Sequence, residues 1–373
     1  MKRCKRCLLD TTVPDIQFNQ NGICNYCEKH NELAKHYDKY LTTDNKFIIN
    51  QVEEIKKYGN GKQYDCIVGL SGGTDSTYIL LVAKQMGLRP LAVFFDNGWS
   101  TETAVSNIKN AIDKLEVDLY TYVVDWEEFR DIQLSFLKAS VPCIEVPTDI
   151  AISGVLYKIA NEKGVKYILN GMSFRTEGTV PLDWSFIDGT YVKNIQKKFG
   201  TKKIKSYPLF TIFDMAYYTF VKKIKMVPLL NYLEYDKVKA RKVLEDELNW
   251  KYYGGHHYEN LYSAWAFGWY TNTKFNYDKR KVSLSGPVRT GTLLLEDAIK
   301  ELEIKPNISD DLTNYVIKKL EIDHFQFERI LKAKNKSFRD YKTSYNFILK
   351  LKFLIKFLVD KGFLSPVIYQ KFF

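Results

Sequence analysis

Four of the chain's six cysteines lie within its first 27 residues, arranged as two close pairs. Two residues separate Cys4 from Cys7 and Cys24 from Cys27, and 16 residues lie between the pairs. This is the spacing of a zinc ribbon, in which each pair of thiolates binds one side of a tetrahedral ion. Four thiolates close the coordination sphere, so we predict a structural zinc site. A rubredoxin-like iron centre, an iron–sulfur cluster and two disulfides are the alternatives.

A glycine-rich run forms a second candidate site. Its sequence is Leu70-Ser71-Gly72-Gly73-Thr74-Asp75-Ser76-Thr77. Two glycines let backbone N–H groups approach an anion without interference from a Cβ atom, while the hydroxyl groups and a helix N-terminus add further donors. The run lacks both the Gly-Lys-Ser/Thr of a Walker loop and the Gly-x-Gly-x-x-Gly of a dinucleotide-binding turn. We therefore predict a phosphate-binding loop of another type; a tight turn capped by one hydroxyl is the structural alternative.

The elements around this loop alternate between strand and helix patterns. We predict strands at residues 64–70, 91–96, 119–124 and 166–170, and helices at 74–86, 101–115, 127–138 and 149–163. This alternation is typical of an α/β fold with a doubly wound parallel sheet. Ligands bind beyond the carboxyl ends of such strands, so we expect the loops at residues 71–77, 96–101 and 171–178 to converge.

Composition places further limits on the chain. A hydrophobic content of 45% over 373 residues excludes intrinsic disorder. The net charge of +11 is concentrated in residues 193–225 and 332–361, which form a candidate surface for a phosphorylated sugar, an acidic partner or an anionic membrane. Residues 347–359 are apolar but interrupted by lysines, which favours a packed terminal helix over a membrane anchor. No secretory signal is evident, so we expect a cytoplasmic protein.

The glycine-rich run resembles the Ser-Gly-Gly-x-Asp-Ser signature of the PP-loop ATP pyrophosphatases, which include asparagine, NAD and GMP synthetases and tRNA thiolases. The resemblance implies a fold of the adenine nucleotide alpha hydrolase-like type. It also implies that the loop holds the β,γ-pyrophosphate of ATP, that Asp75 positions Mg²⁺, and that ATP is cleaved between its α and β phosphates. The adenosine would then lie near Phe95, Asp96 and Asn97, and Gly171 would complete the ATP site.

Three segments, residues 141–149, 167–178 and 252–260, resemble the N-acetyl sugar amidotransferases of bacterial surface-polysaccharide pathways. With the four cysteines, this resemblance extends from Cys4 to about Ala298. It implies that an acetamido group on a nucleotide-activated sugar becomes an acetamidino group. ATP would adenylate the amide oxygen, and ammonia from a separate glutaminase subunit would displace AMP. A subunit resembling the histidine-pathway cyclase would accompany the glutaminase. This chain departs from the family pattern at Ile150, at Met172-Ser173 and at Leu295.

The resemblance also assigns residues to roles. We predict four catalytic residues: Asp75, Asp149, Glu177 and His257. A helix cap, a solvated loop acid and a structural histidine are the respective alternatives for the last three. We predict six substrate-binding residues: Arg175, Thr176, Glu259, Lys274, Lys279 and Arg280.

These assignments divide the chain into four regions. Residues 1–60 form a zinc-ribbon-like module with a linker helix, and residues 61–185 form the PP-loop core. Residues 186–290 form a basic, aromatic region that completes the core and binds the acceptor, and residues 291–373 form a mainly helical C-terminal region. A PP-loop tRNA-thiolating enzyme is the alternative function. It would need catalytic cysteines near the loop, where only Cys143 is available, and no RNA-binding module is evident, so nucleic acid is not expected as a partner.

Overall fold

A computed structural model describes residues 2–42 and 45–373 of the chain. Within these residues, five parallel strands form a sheet in the order β3-β2-β1-β4-β5. The strands are β1 (Cys66–Gly69), β2 (Pro90–Asp96), β3 (Leu119–Val123), β4 (Tyr167–Leu169) and β5 (Lys225–Val227). The predicted parallel α/β sheet is therefore confirmed. The sequence analysis missed β5, because three residues in a lysine-rich segment give no recognisable strand pattern.

The chain winds outward from β1 in both directions. Ile67 of β1 lies opposite Leu91 of β2 on one side and opposite Ile168 of β4 on the other. The chain first adds β2 and β3 on one side of β1, and then crosses to the other side of β1 to add β4 and β5. A crevice forms at the carboxyl ends of the strands where the order reverses, and that is where such sheets bind ligands.

Helices connect the strands and make up most of the remaining secondary structure. Their bounds are α1 (Asn25–Tyr37), α2 (Lys46–Gly59), α3 (Thr74–Gln85), α4 (Glu102–Leu115), α5 (Trp126–Ala139), α6 (Val146–Glu162), α7 (Phe174–Glu177), α8 (Gly189–Phe199), α9 (Ile212–Ala216), α10 (Lys237–Leu248), α11 (Leu261–Trp265), α12 (Thr271–Phe275), α13 (Arg280–Thr290), α14 (Leu295–Glu303), α15 (Asp310–Lys319), α16 (His324–Lys332), α17 (Tyr345–Lys350), α18 (Lys352–Asp360) and α19 (Pro366–Phe372). The four helices predicted between the strands are present within about three residues of their predicted bounds, and the C-terminal region is helical as predicted.

Both faces of the sheet are buried, because alternate residues of each strand pack into different clusters. Ile67 packs with α5, α6 and α8, whereas its neighbours Cys66 and Val68 pack with α2, α3 and α10. The first cluster also takes in residues of α15 and α16, so the C-terminal helices belong to the same core as the sheet. None of the helices in the described part of the chain is long and apolar enough to cross a membrane.

The N-terminal module forms a third, smaller cluster. Its four cysteines pack with Trp184, Tyr277 and Val282 from distant parts of the sequence. The rings of Trp184 and Tyr277 stack with 4.1 Å between their centroids. The module is therefore fixed against α13 and the segment before it. Nothing observed assigns the four predicted regions their boundaries, and that division stays a prediction.

Candidate functional site

The glycine-rich loop runs directly from the end of β1 into α3, as the sequence predicts. The Leu70 N–H donates to the Val93 carbonyl oxygen at 2.8 Å, which ties the start of the loop to β2. Gly72 has a φ of +77°, and a Cβ atom there would lie 2.3 Å from the Ala104 carbonyl oxygen. Only glycine fits this position, because any side chain would force the loop away from α4. The close contact with α4 thereby fixes the N-terminus of α3 at the carboxyl ends of the strands.

The hydroxyl groups of the loop divide into two sets. Thr77 is fully buried and its hydroxyl donates to the Gly73 carbonyl oxygen at 2.8 Å, so it stabilises the loop itself and is not available to an anion. Ser71 is exposed, with its Oγ 3.1 Å from that of Ser76. Thr74 Oγ1 is buried, and no residue of the described structure hydrogen-bonds to it. The Thr77 hydroxyl thus faces into the loop, and Ser76 Oγ also donates to the Gly73 carbonyl oxygen, at 3.2 Å. Ser71, Thr74 and Ser76 lie at the helix N-terminus, where anions bind.

Tyr253 lies over this helix terminus. Its hydroxyl oxygen accepts a hydrogen bond from the Thr74 N–H at 3.2 Å. A backbone N–H at the first turn of a helix is a donor that phosphate oxygens use. The Thr74 N–H, a donor that an anion could use, is therefore bonded to the tyrosine oxygen in this structure. The sequence analysis included Tyr253 in a motif segment but gave it no role.

Asp75 is held by two residues that the sequence analysis missed. Lys237 Nζ lies 2.7 Å from Asp75 Oδ2, and the Tyr235 hydroxyl donates to Oδ1. Burial tends to lower the pKa of Lys237, but the charge and the hydrogen bond of Asp75 outweigh it, and the pKa is raised. Lys237 therefore stays protonated and supplies a fixed positive charge beside the loop. About 160 residues separate these partners, and no sequence motif links them.

The loop after β4 meets the glycine-rich loop, as expected. A Cβ atom on Gly171 would lie 2.7 Å from the Asp75 carbonyl oxygen, so the two loops are in close contact. The loop leads into α7, which carries Glu177 at its end. Burial, and secondly the negative charge of Asp75, raise the pKa of Glu177 to about 7. A carboxyl group with this pKa gains and loses a proton near neutral pH, as a general acid or base must.

Residues 257–260 connect the remaining predicted loop, residues 96–101, to the glycine-rich loop. The Asn260 side chain donates to Asn97 Oδ1 at 3.1 Å, and Asn260 also bridges to Ser100. Glu259 Oε1 lies 3.2 Å from the position that a Cβ atom on Gly73 would take, and His257 Nδ1 lies 3.6 Å from the same oxygen. The structure thus brings His257 and Glu259 to the glycine-rich loop, and all three predicted loops converge.

A second buried acidic group, Glu145, lies near Asp149 and Lys279. Glu145 precedes α6, and its Oε2 accepts a hydrogen bond from Ser263 Oγ at 3.0 Å, while Oε1 is buried with no hydrogen-bond partner in residues 2–42 or 45–373. Burial, followed by the charge of Asp149, raises the pKa of Glu145 to about 7. Burial also raises the pKa of Asp149, against the opposing charge of Lys279. The sequence analysis quoted the segment around Glu145 but did not single this residue out.

Substituting Glu145→Gln is expected to stabilise the protein above neutral pH. Because the folded-state pKa lies above the ordinary value of 4.5, the folded state loses stability as pH rises from 4.5 through about 7. The neutral amide removes this penalty, on the order of 1–3 kcal/mol in the free energy of unfolding at about pH 8, with little effect at about pH 4. Denaturant titration at both pH values measures this difference. The exposed Glu303→Gln serves as control, and an equal change at both pH values would contradict the assignment.

Several predicted site residues are engaged elsewhere. Arg175 donates to the Asn231 carbonyl oxygen at 2.9 Å and to Asp38 Oδ1 at 2.5 Å, so its guanidinium is directed towards the residues after α1. Lys274 donates to two carbonyl oxygens near the end of α16, at 2.7 and 2.9 Å. Arg280 pairs with Asp278 at 2.6 Å and also donates to carbonyl oxygens of α14. The contacts of these three side chains fix the fold, and the structure gives no support to their predicted substrate-binding roles.

Three further predicted site residues, Thr176, Phe95 and Asp96, also make contacts within the fold. Thr176 is buried and its hydroxyl donates to the Ser173 carbonyl oxygen at 3.4 Å. Phe95 packs in the core against Phe129, so it is not presented to a ligand, and Asp96 accepts a hydrogen bond from the Gly98 N–H at 2.9 Å in a turn. Lys279, in contrast, is partly buried, 3.3 Å above the Phe267 ring. Burial lowers its pKa, although Cys143, Asp149 and Glu177 act in the opposite direction.

The four N-terminal cysteines form a site that fits a metal ion. All four are buried, and their sulfur atoms lie within 4.8 Å of one another. The closest pairs are Cys24–Cys27 at 3.6 Å, Cys7–Cys24 at 3.7 Å and Cys4–Cys27 at 3.8 Å. A tetrahedral ion with metal–sulfur bonds of about 2.3 Å places its sulfur ligands about 3.8 Å apart. The three shortest separations therefore match one tetrahedral ion.

Arg289 is the positive partner of this cluster. It is 5% exposed and lies on α13, and its guanidinium donates to Cys27 Sγ at 3.4 Å and to Cys7 Sγ at 3.3 Å. Four thiolates around a divalent ion carry a net charge of −2, so a buried cation beside them offsets the cost of burying that charge. No sequence motif identified Arg289, because its role follows only from the packing of α13.

Substituting Arg289→Met is expected to weaken metal retention by about 10- to 100-fold, because it removes both donors to the thiolates. Competition with a chromophoric chelator measures the metal affinity directly, without reference to catalysis. The exposed Arg329→Met of α16 is the matched control. If Arg289→Met released metal no faster than this control, the arginine would have no part in the site.

The parallel sheet and the loop at its carboxyl edge define an α/β protein with a candidate phosphate-binding site. The four cysteines add a candidate metal site. Residues 259–352 match the family model described as "LPS biosynthesis protein WbpG-like, C-terminal domain". This segment is therefore similar to the C-terminal domain of the WbpG-like lipopolysaccharide biosynthesis proteins, which supports the predicted resemblance to surface-polysaccharide enzymes. The matched segment crosses the boundary predicted at residue 290.

Solved structures similar to this chain include three enzymes. The U34-tRNA thiolase NcsA from Methanococcus maripaludis, solved with its 4Fe-4S cluster, is 13% identical with a TM-score of 0.32, and the match covers 90% of each chain. The NH3-dependent NAD synthetase from Campylobacter jejuni is 10% identical with a TM-score of 0.28, covering 78% of this chain and 97% of that one. NMN synthetase from Francisella tularensis is 15% identical with a TM-score of 0.28, covering 63% and 96%. At these TM-scores no argument rests on the likeness. No curated protein matches the chain.

Proposed function

We propose that this protein is an ATP-dependent amidotransferase that converts an acetamido group of a nucleotide-activated sugar into an acetamidino group, with AMP and pyrophosphate as the other products. The proposal rests chiefly on the convergence of the glycine-rich loop with Lys237 and Glu177 at one edge of the sheet. The WbpG-like match supports a substrate from lipopolysaccharide synthesis. We place the reaction in the cytoplasm and assign the supply of ammonia to a glutaminase partner.

The loop fits the pyrophosphate part of ATP. Its glycine backbone, the nearby ammonium of Lys237 and the Thr74 hydroxyl, which has no partner among the described residues, are groups that bind phosphate oxygens. Asp75 would hold Mg²⁺ between itself and the phosphates, and the ion would neutralise charge that develops on the departing pyrophosphate. Tyr253 would give up its hydrogen bond with Thr74 to the incoming anion.

The proposed reaction has two steps. The amide oxygen attacks the α-phosphorus of ATP, and the bond to the bridging oxygen breaks, so that pyrophosphate leaves. Ammonia then attacks the former carbonyl carbon, and the carbon–oxygen bond breaks. AMP leaves with the original amide oxygen, and the new nitrogen passes a proton to a base. An amide oxygen is a poor leaving group until it is adenylated, so activation at the loop must come first.

Glu177 is the proposed proton acceptor, and its removal is expected to change the pH dependence of the reaction. With rates expressed per free ammonia, the wild-type rate rises through about pH 7 as Glu177 loses its proton. Glu177→Gln should lower the rate by about 100-fold and remove this rise. Glu145→Gln is the matched control, since it should keep the inflection. A Glu177→Gln profile with an unchanged inflection would assign the base to another group.

The N-terminal site is proposed to hold zinc in a structural role. Sulfur separations of 3.6–3.8 Å suit a single ion, whereas a cubane cluster places iron and sulfide between its thiolates and needs wider spacing. Four protein ligands leave no open position for a substrate. Metal analysis of the purified protein, with one zinc and no sulfide per chain, is the expected result.

The reaction itself is tested by incubating the protein with acetamido nucleotide sugars, ATP, Mg²⁺ and ammonium. Mass spectrometry is expected to find a sugar in which NH replaces one oxygen, with equal amounts of AMP.

The thiolase alternative receives little support from Cys143, which is 7% exposed and whose pKa burial raises to about 11. A thiol in that state is a weak nucleophile. Sulfur incorporation into tRNA, with no modified sugar, would overturn the proposal.

A further inference from the structure

Two segments far apart in sequence form one aromatic surface on the side of α18. The first comprises α9 and the π-helical turn Tyr217–Val221 that follows it, and the second comprises α17, α18 and the residues up to Phe363. The rings of Phe213 and Phe347 lie 5.9 Å apart, and those of Phe220 and Phe363 lie 6.1 Å apart. The two segments therefore meet at two points, and we call the combined face the basic aromatic surface.

This surface exposes large apolar side chains. Phe353 is 86% exposed and Phe213 is 69% exposed, whereas Ile355 is buried on the inward side of α18. The exposed apolar residues on α18 include Leu354 and Phe357 as well. The predicted helix is present, but five of the ten apolar residues in 347–359 are exposed, so it is packed along one side only. Exposed large apolar side chains gathered on two segments in contact are a feature of interaction sites.

The same surface is strongly basic. Residues 345–363 contain four lysines and one aspartate, and Lys222 directly follows the first segment. The lysine ammonium groups lie beside the aromatic rings: Lys222 Nζ is 5.4 Å from the centroid of Tyr217, and Lys361 Nζ is 5.9 Å from that of Phe357. Aromatic rings with lysines at their edges suit the boundary between lipid headgroups and acyl chains, where rings enter the apolar layer and ammonium groups meet phosphates.

We propose that the basic aromatic surface docks the protein on an anionic lipid bilayer. A second copy of the chain would bring the same excess of lysines against this face, and like charges would oppose the contact. Lysine is also depleted in the cores of protein interfaces, whereas polybasic patches beside apolar residues are attracted to anionic lipids. Docking would be peripheral, since no helix within residues 2–42 and 45–373 is long and apolar enough to span the bilayer.

The test is flotation of the full-length protein with vesicles of phosphatidylcholine alone or mixed equally with phosphatidylglycerol. The protein is expected to float only with the anionic vesicles and to lose binding at high salt, because the lysine contribution is screened. The double variant Phe353→Ser and Phe357→Ser should lower the partition coefficient by at least about tenfold. Replacing Lys352 and Lys356 by glutamine should have a similar effect.

Phe325→Ser is the control, because Phe325 is 71% exposed on α16, outside both segments. Its partition coefficient should equal that of the wild type, and thermal melting of each variant verifies folding. Equal flotation with neutral and anionic vesicles, or none with either, would overturn the proposal. So would a dimer, detected by light scattering, that the Phe353→Ser and Phe357→Ser variant abolishes, since a second copy would then cover the surface.

Discussion

Substituting Asp75→Asn is expected to lower the rate of AMP formation by about a thousandfold, while the protein remains folded. Asp75 combines three features: a position in the first turn of α3, an ion pair with Lys237, and contact between its backbone and the loop after β4. The amide keeps the shape of the side chain but loses the charge that the proposed Mg²⁺ requires. Steady-state measurement of pyrophosphate release, with ATP and ammonium saturating, gives the rate.

Asp113→Asn is the matched control for this substitution, because Asp113 is exposed on α4. It should retain the wild-type rate. Lys237→Met tests the ion-pair partner of Asp75. Because Lys237 is a proposed phosphate contact, its loss should raise the KM for ATP. An Asp75→Asn rate within twofold of the wild type would show that the glycine-rich loop does not handle the reacting phosphates.

Removing the N-terminal metal ligands is expected to have the second largest effect. The double variant Cys24→Ser and Cys27→Ser should lose bound metal, and its Tm should fall by about 10 °C, because metal-binding free energy contributes directly to folding in such sites. Activity should fall as well, although the metal lies outside the cleft. Metal analysis and calorimetry measure the first two effects, and pyrophosphate release measures the third.

The loss of activity is expected because α13 contacts both the N-terminal module and α7. Lys281 of this helix pairs with Asp10 at 2.7 Å, and Ser285 Oγ accepts a hydrogen bond from the Leu8 N–H at 3.2 Å. On its other side, a Cβ atom on Gly286 would lie 2.7 Å from the Arg175 carbonyl oxygen, so α13 packs directly on α7, which ends at Glu177. The module therefore positions Glu177 through two layers of packing.

Cys143→Ser is the control, because it removes a buried thiol outside the module. It should keep a full complement of metal. If the double cysteine variant kept its metal and its Tm, the cysteines would not form the site. If it lost its metal but kept full activity, the connection through α13 to Glu177 would be wrong.

The sequence predicted the parts of this protein that depend on local patterns. The glycine-rich loop lies between β1 and α3 because the strand pattern, the glycines and the helix pattern follow one another within 20 residues. The two cysteine pairs likewise predicted their own proximity, since close spacing and an intervening turn leave few other arrangements.

Contacts between distant segments were not predictable in this way. Tyr235 and Lys237 reach Asp75 only because β5 extends the sheet and places α10 beside α3, and β5 itself is too short to recognise. Charge alone was also misleading: Lys274 appeared available to substrate phosphates, yet its ammonium binds backbone carbonyl oxygens. A side chain's partners, which depend on tertiary packing, decide whether its charge is free.

The most direct test of the account follows the amide oxygen. An acetamido nucleotide sugar labelled with oxygen-18 in its amide is incubated with the protein, ATP, Mg²⁺ and ammonium, and the AMP is analysed by mass spectrometry. We predict that the label appears in the phosphate of AMP in an amount equal to the acetamidino product, because adenylation transfers that oxygen to the α-phosphorus. Label that stayed in the sugar, or ATP that yielded ADP and inorganic phosphate, would contradict adenylation at the glycine-rich loop.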